Sequence, residues 1–339
     1  MTKRLAFLIL ALPVQQAAFS HHSTAAFDTK TKIELSGTIT RYRWANPHVF
    51  LWLETRDDQG KPIVWEVEAA PPAMLRRAGV TQDQIAVGDH VTVSGNPGRI
   101  AAKHQVLLNT LRKDDSKVAL IFGQSAALGS LMIAKEVVTT PAASLEGTWG
   151  TVLNIAAASK LLNTKEWPLT EKGRQALAQA GPIDTTVDKC HANAAPGIMV
   201  APDVKMIRFR GKTIELGREW DGVIRTVHMD QRSHDGVKPS LQGHAIGRWV
   251  GDTLVVDSAA FTPGSQDINA GVLTGPRKHL VEKFRLDADK THVIYSFVLE
   301  DPDFLTAPVT GDNMLWTYRP DLKFKPDACD PDVAKRFKP

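Results

Sequence analysis

Several side chains that could carry out acid–base chemistry lie in residues 243–257, GHAIGRWVGDTLVVD. β-Branched and aromatic residues on both sides of a Gly-Asp pair predict two strands joined by a hairpin turn. His244, Arg248 and Asp257 would then lie among residues that a sheet buries. An imidazole, a guanidinium and a carboxylate in such surroundings could move a proton or hold a polar ligand.

A carboxylate is also predicted on the apolar face of a later strand. Side chains alternate between the two faces of a strand, so Glu282 shares its face with Leu280 and Phe284. Burying a carboxylate costs several kcal/mol unless the group is paired or protonated. We therefore expect a cationic partner, for which Arg225 and Arg248 are the candidates.

Glu282 has two interpretations at this level. As a general acid or base with a raised pKa, it would act on a ligand held beside His228, His244 or Tyr295. As a structural group, it would form a buried ion pair with an arginine. The sequence leaves both open, because it gives no geometry.

Other residues of the same region are candidates for ligand binding. Asp252 is expected to organise its own turn, whereas Asp257 could cap a strand end or line a pocket. Trp249 and Trp316 are expected in the core, although aromatic walls would also suit an apolar ligand.

Histidines near the start of the chain suggest a separate metal site. Cleavage after Ser20 would leave a free amine on His21, and this amine and the ring nitrogen could chelate Cu(II), with His22 or His48 as a further ligand. Cleavage one residue earlier would place a histidine third, which also binds Cu(II). Alternatively, the two adjacent histidines are only exposed polar residues. No Cys/His spacing elsewhere is typical of a zinc site.

Residues 1–20 have the pattern of a signal peptide. Lys3 and Arg4 precede an apolar run over residues 5–14, and small residues follow at 18–20. The run is shorter than the roughly 20 apolar residues of a membrane-spanning helix. We expect a periplasmic or secreted protein, the alternative being an uncleaved anchor.

Charge and motifs exclude several classes of function. The 41 Lys and Arg against 37 Asp and Glu give a net charge of +4, which falls to +2 when residues 1–20, with their two cations, are removed. The basic residues are dispersed, which argues against nucleic-acid binding. The sequence has no Gly-x-Ser-x-Gly elbow, nucleotide-binding glycine loop or His-Glu-x-x-His helix, so serine hydrolases, dinucleotide enzymes and zincins are disfavoured.

The chain contains two cysteines, Cys190 and Cys329. In an oxidising compartment they are expected to form a disulfide that ties the C-terminal tail to the domain. Two buried free thiols are the alternative, because sequence gives no distance between them.

An all-β protein of two domains is predicted. The first, over residues 21–113, has the strand order of an OB-like five-stranded barrel, with a helix after the third strand. Its predicted strands span residues 32–42, 49–54, 62–69, 90–94 and 105–112, and its helix residues 71–79. Residues 114–143 are predicted to be a linker.

The second domain, residues 144–339, is predicted to be an antiparallel lipocalin-like barrel or sandwich with short helices, one of them over residues 169–181. A barrel of about eight strands can enclose one small ligand. The predicted strands span residues 205–210, 213–220, 223–229, 244–249, 253–261, 279–286 and 292–300.

Several motifs resemble an uncharacterised family of exported bacterial proteins. The first domain carries His21-His22-Ser23, residues 44–48 (WANPH) and residues 65–68 (WEVE), and the second carries residues 247–257 (GRWVGDTLVVD). The resemblance implies export and two joined domains, and no activity.

Three functions are consistent with the sequence. The second barrel could bind an apolar or mixed small molecule without chemistry. It could instead be an acid–base lyase, isomerase or hydrolase that uses no nucleotide cofactor. The third possibility is a copper-binding envelope protein that works through residues 21–48.

Overall fold

The computed structural model describes residues 26–77, 79–114, 120–121, 140–152, 161, 166–179, 190–201, 203–220, 222–265, 268 and 273–335. Within these ranges no helix is long and apolar enough to cross a membrane. The chain forms two β-barrels with a few short helices.

Five strands in the described part of the chain close the first barrel, as predicted from their order. They are Ile33–Arg43 (β1), Phe50–Arg56 (β2), Pro62–Glu68 (β3), His90–Pro97 (β4) and Gln105–Lys113 (β5), with the helix Pro72–Arg77 (α1) between β3 and β4. β1 pairs with β2 and β4, and a parallel pairing of β3 with β5 closes the ring. This is the OB-like arrangement.

Alternating apolar side chains fill the first barrel. Each strand contributes branched or aromatic residues to the interior, including Ile39, Leu51, Leu53, Val67, Val91, Val93, Leu108 and Leu111. Burial of each stabilises the fold by about 1.5–3 kcal/mol. Leu120–Ile121 (β6) adds to the edge of β5, so part of the segment predicted as a linker belongs to this sheet.

Nine strands of the described ranges close the second barrel. They are Gly147–Thr151 (β7), Val204–Arg210 (β8), Thr213–Arg218 (β9), Ile224–His228 (β10), His244–Val250 (β11), Thr253–Ala259 (β12), His279–Leu286 (β13), His292–Glu300 (β14) and Val309–Tyr318 (β15). β8 to β14 confirm the seven predicted strands. β7 and β15 were not predicted, and their pairing completes the ring between β14 and β8.

The described residues of the second barrel include three helices: Glu171–Gln179 (α2), Gly197–Val200 (α3) and Pro331–Ala334 (α4). α2 lies within the predicted helix. The β11–β12 hairpin also forms as predicted, with Val250 opposite Thr253. Gly251 has φ +60° in its turn, a conformation that glycine adopts without strain.

One junction of the second barrel differs from the predicted meander. β10 and β11 run parallel, paired at Val227 with Ala245 and at His228 with Ile246. Parallel neighbours cannot be joined by a tight hairpin. The chain therefore returns along residues 229–243, which we name the crossing segment. We name the junction between β10 and β11 the seam.

The C-terminal tail connects the two barrels. Arg76, on α1 of the first barrel, forms ion pairs of 2.6 Å with Glu219 and with Asp327 of the tail. Asn46 of the first barrel accepts a backbone hydrogen bond from Asp330. The predicted Cys190–Cys329 disulfide is confirmed, and it ties the tail to the second barrel.

Removal of this disulfide should lower the free energy of unfolding by about 5 kcal/mol, because the bond closes a long loop in the unfolded chain. The two cysteines are 139 residues apart. The measurement is urea unfolding of the Cys190→Ser/Cys329→Ser variant against the oxidised protein. The wild type under reducing conditions is the control and should unfold with the variant. Equal midpoints for the variant and the oxidised protein would show that the bond contributes nothing.

Candidate functional site

A buried polar network lies inside the second barrel. Glu282 on β13 is 0% exposed and Arg225 on β10 is 2% exposed. One Arg225 nitrogen, Nη1, donates to Glu282 Oε2, and the Tyr295 hydroxyl on β14 donates to Glu282 Oε1 at 2.9 Å. Arg225 Nη2 donates to Ser258 Oγ on β12. Of the two arginines considered for Glu282, the structure pairs it with Arg225.

Aromatic rings surround this network. Tyr295 stacks on Trp316 with ring centroids 5.2 Å apart, and Phe284 packs 5.0 Å from Tyr295. All three rings are fully buried. Such a wall excludes water, which strengthens the Arg225–Glu282 attraction but makes any unpaired polar group costly.

Two donors of this interior have no hydrogen-bond partner among the described residues: Arg225 Nε and Trp316 Nε1. A buried unsatisfied donor costs about 1–3 kcal/mol. Proteins usually meet this cost with an ordered water or a ligand oxygen. An acceptor placed beside either donor would therefore remove this cost.

A pocket of about 340 Å³ opens at the seam. Its lining combines apolar side chains, Ile224 and Leu241, with polar ones. Arg225 also lines it, so the pocket adjoins the buried network. The complete lining is Ile224, Arg225, Thr226, His228, Ser240, Leu241, Gln242, Gly243 and His244. We name this cavity the seam pocket.

The parallel junction explains why the seam pocket exists. Pairing of β10 with β11 begins only at Val227, so within the described residues Ile224–Thr226 has no strand beside it on that side. Residues 240–243 of the crossing segment face this gap. Gly243 lets the crossing segment lie close to Ala259 and Phe261, because a Cβ at this position would be 2.8 Å from the Ala259 carbonyl oxygen and from the Phe261 ring.

Gln242, which lines the seam pocket, carries a buried acceptor without a partner in the described residues. Its Nε2 donates to the Asn193 carbonyl at 2.7 Å, and this bond orients the amide. Its Oε1 has no partner within the described ranges. The pocket is thus lined by one residue with an unused donor, Arg225, and one with an unused acceptor.

Two histidines border the seam pocket. The His228 and His244 rings lie 5.1 Å apart. Among the described residues, no hydrogen-bond partner is found for the His228 imidazole, whereas His244 bonds to His234 and Gln231. Burial and the neighbouring charges of His234 and His228 lower the pKa of His244. This shift favours the neutral imidazole of His244.

Asp257 lies on the outer face of the barrel and connects two further histidines. Its Oδ1 is 2.9 Å from His234 Nε2, and its carboxylate oxygens are both 3.2 Å from His279 Nε2. Burial acts to raise the pKa of Asp257, but the hydrogen bonds from His234 and His279 outweigh it and lower the pKa. The lowered pKa favours the ionised carboxylate. Asp257 lies inside β12 and is not among the residues that line the seam pocket, so it neither caps its strand nor lines that pocket.

The remaining predicted residues lie apart from the seam pocket. Trp316 is in the barrel interior as expected, whereas Trp249 is 47% exposed, so the expectation of core packing for it is wrong. Trp249 lies with exposed Arg248 at the end of the β11–β12 hairpin, edge-on to Phe209. Asp252 stays within its turn and accepts from the Thr253 hydroxyl at 3.3 Å.

Of the three predicted copper ligands, the structure describes only His48. His21 and His22 lie outside the described residues. His48 is buried, with Nδ1 2.7 Å from Glu68 Oε1. In the ranges that the structure covers, no group of three His, Cys, Asp or Glu side chains is arranged to hold a metal ion. Copper binding at the N-terminus stays a prediction.

Sequence reasoning missed the contribution of the crossing segment. Gln231, His234 and Gln242 all lie on this segment. Ser258 was also missed, because it lies in a strand of mostly apolar residues. One signal was present: a histidine, His234, lies between two predicted strands that each carry a histidine of their own. The sequence does not show that β10 and β11 run parallel, so it gave no reason to expect the rings of His228, His234 and His244 to lie together.

Residues 10–107 of the chain match the model of a family of unknown function, DUF6152. This range includes β1 to β4 and the start of β5, and none of the second barrel. No curated protein matches the chain.

Replacement of Glu282 by glutamine should cost about 3–5 kcal/mol of folding free energy, because the Arg225 charge would remain buried without a counter-charge. Urea unfolding at pH 7 measures the loss. A matched control is Glu171→Gln, which removes an exposed helical ion pair with Arg174 and should leave the midpoint unchanged. Replacement of both partners, Arg225→Met with Glu282→Leu, should recover most of the loss. If Glu282→Gln unfolds with the wild type, the pair does not stabilise the barrel.

Proposed function

We propose that this chain is an exported protein whose second barrel binds a small molecule of mixed apolar and polar character in the seam pocket. One observation carries the proposal: Arg225 lines the pocket, is 2% exposed and has an Nε donor without a partner in the described residues. A ligand oxygen that accepts from this nitrogen would remove the cost of the unpaired donor.

The lining suggests the character of the ligand. Ile224 and Leu241 favour an apolar body, and Gln242 Oε1 favours a hydroxyl or N–H that donates to it. Arg225 is already neutralised by Glu282, so the pocket has no excess cation to demand an anionic ligand. A volume of about 340 Å³ is at the small end of ligand pockets. We infer a small neutral compound that carries both an acceptor and a donor.

The bordering histidines support an acid–base enzyme as the specific form of this function. Neutral imidazole can take a proton near pH 7, and both His228 and His244 line the pocket. The proposed reaction classes are those of a lyase, isomerase or hydrolase without a nucleotide cofactor. Glu282, held by Arg225 and Tyr295, orients the guanidinium in this proposal and does not itself contact the ligand.

The proposed location is the periplasm or the extracellular medium. The pattern of residues 1–20 supports export. The Cys190–Cys329 disulfide supports an oxidising compartment.

Gln242→Leu should weaken ligand binding about tenfold, because it removes the proposed acceptor and the bond to the Asn193 carbonyl that orients it, while it retains the size of the side chain. The probe is 4-hydroxyacetophenone, a neutral compound with a carbonyl acceptor, a phenolic donor and an apolar ring. Saturation-transfer NMR with the mature protein measures its affinity. Gln82→Leu, an exposed glutamine of the first barrel, is the control and should leave the affinity unchanged.

Native mass spectrometry of protein purified from an exporting host provides the second measurement. A co-purifying organic compound that is absent from Gln242→Leu preparations is the expected result. The proposal would be overturned if nothing co-purifies and the probe does not bind, or if it binds equally to the wild type and Gln242→Leu.

A further inference from the structure

We propose that Asp257, His234 and His244 form a proton relay in which His244 is the acid–base group of the seam pocket and the other two are positioning residues. The ligand-related part of this inference rests on the function proposed above. The relay itself rests on hydrogen-bond geometry outside the pocket.

The three groups form a continuous chain. Asp257 Oδ1 lies 2.9 Å from His234 Nε2, and His234 Nδ1 lies 2.9 Å from His244 Nδ1. The other nitrogen of His244, Nε2, lies 2.7 Å from Gln231 Oε1. Each imidazole thus uses both of its nitrogens, and the chain leads from the outer wall of the barrel to a residue that lines the pocket.

The chain accommodates only certain protonation states. An ionised carboxylate only accepts, so His234 Nε2 must carry a proton toward Asp257. Two Nδ1 atoms 2.9 Å apart share a single proton, because two N–H groups would face each other. Either His234 is an imidazolium and His244 is protonated at Nε2, toward the Gln231 oxygen, or His234 is neutral and His244 is protonated at Nδ1. In the second state the Gln231 amide must turn its NH2 group toward His244 Nε2, because two acceptors cannot form a hydrogen bond. His244 is neutral in both states. A His244 imidazolium beside a neutral His234 would also satisfy the contacts, but it would place the charge one ring farther from the Asp257 carboxylate.

These two states differ by one proton, which gives a balanced transfer step. A ligand X–H bond breaks, and its proton forms a new bond to His244 Nε2. The Nδ1–H bond of His244 breaks as that proton moves to His234 Nδ1. The electron pair of X–H stays on the ligand, and the new imidazolium of His234 faces the Asp257 carboxylate. No electron is transferred, and the reverse sequence returns the proton.

The charged and titratable neighbours favour proton transfer from His244 toward His234. Around the chain lie His228 on β10, His279 on β13 and Glu300 on β14. His279 donates to Asp257, which keeps that carboxylate ionised and ready to stabilise His234 as a cation. Gln231 is the only side chain of the described residues that bonds to His244 Nε2. A ligand must therefore displace the Gln231 amide before its proton can reach His244 Nε2.

The arrangement resembles a carboxylate–histidine pair to which a second imidazole has been added. In a carboxylate–histidine pair that activates a reacting group, the carboxylate holds the imidazole in one tautomer and stabilises its cation. Here His234 is the ring held by the carboxylate, and it passes the effect to His244. Placing the cation one ring away from the pocket spares His244 the cost of a charge at its partly buried position.

NMR of the mature protein with ¹⁵N-labelled histidine tests the relay directly. Long-range ¹H–¹⁵N spectra show which ring nitrogen is protonated at each pH. As the pH rises, we expect His234 to lose a proton while His244 stays neutral and its proton moves from Nε2 to Nδ1. A purely structural contact would not produce this coupled tautomer change. The relay is overturned if His244 keeps one tautomer throughout, or titrates to an imidazolium independently of His234.

Variants sharpen this test. Asp257→Asn should move the coupled titration about one pH unit lower, because the imidazolium loses its counter-charge. His234→Gln should abolish the tautomer change of His244. His292→Gln is the control, since His292 bonds to Asp287 in a different hairpin and should alter neither result. An Asp257→Asn titration identical to that of the wild type would remove Asp257 from the relay.

The same samples separate the relay from the proposed function. If the tautomer change occurs but 4-hydroxyacetophenone does not bind, the proton relay stands and the proposed ligand site fails. If the probe binds while the tautomer of His244 does not change with pH, the ligand site stands and the relay is overturned. If both occur, bound probe should also change the His244 Nε2 signal.

Discussion

The ion pair between Arg225 and Glu282 is the interaction on which the second barrel depends. It places opposite charges inside a ring of aromatic and branched side chains, where either charge alone would be strongly destabilising. The Tyr295 hydroxyl donates a hydrogen bond to the second oxygen of Glu282, and a second nitrogen of Arg225 donates to Ser258. These four side chains come from four different strands, so the hydrogen-bonded network around the ion pair also fixes how those strands are arranged around the interior.

The seam is the second constraint, and it follows from connectivity. A parallel junction between β10 and β11 requires the crossing segment, and the short pairing leaves a gap beside Ile224–Thr226. The crossing segment then serves two purposes. It closes one side of the seam pocket with Gln242, and it brings His234 onto the outer wall against Asp257 and His244. The pocket and the histidine chain therefore share one structural origin.

The first barrel and the C-terminal tail support this arrangement from outside. Arg76 pairs with Glu219 at the end of β9 and with Asp327 of the tail. Burial raises the pKa of Glu219, against the opposing effect of Arg76. The disulfide holds the tail in place beside these charges. The region near β9, and with it the neighbouring strand β10, is thus anchored to a separate domain.

Local pattern alone determined much of this protein. Period-two alternation placed Glu282 on an apolar face and called for an arginine partner, strand order predicted the OB-like barrel, and the two cysteines predicted the disulfide. Only the tertiary structure decided that β10 and β11 run parallel, that β7 and β15 close the ring, and that Trp249 is exposed at a hairpin end. The physical reason is the sequence distance over which each contact acts. Alternation shows only which face of its own strand a side chain takes. Strand pairing, the seam and the hydrogen-bonded chain from Asp257 to His244 depend on contacts between distant segments, and such contacts leave no periodic pattern in the sequence.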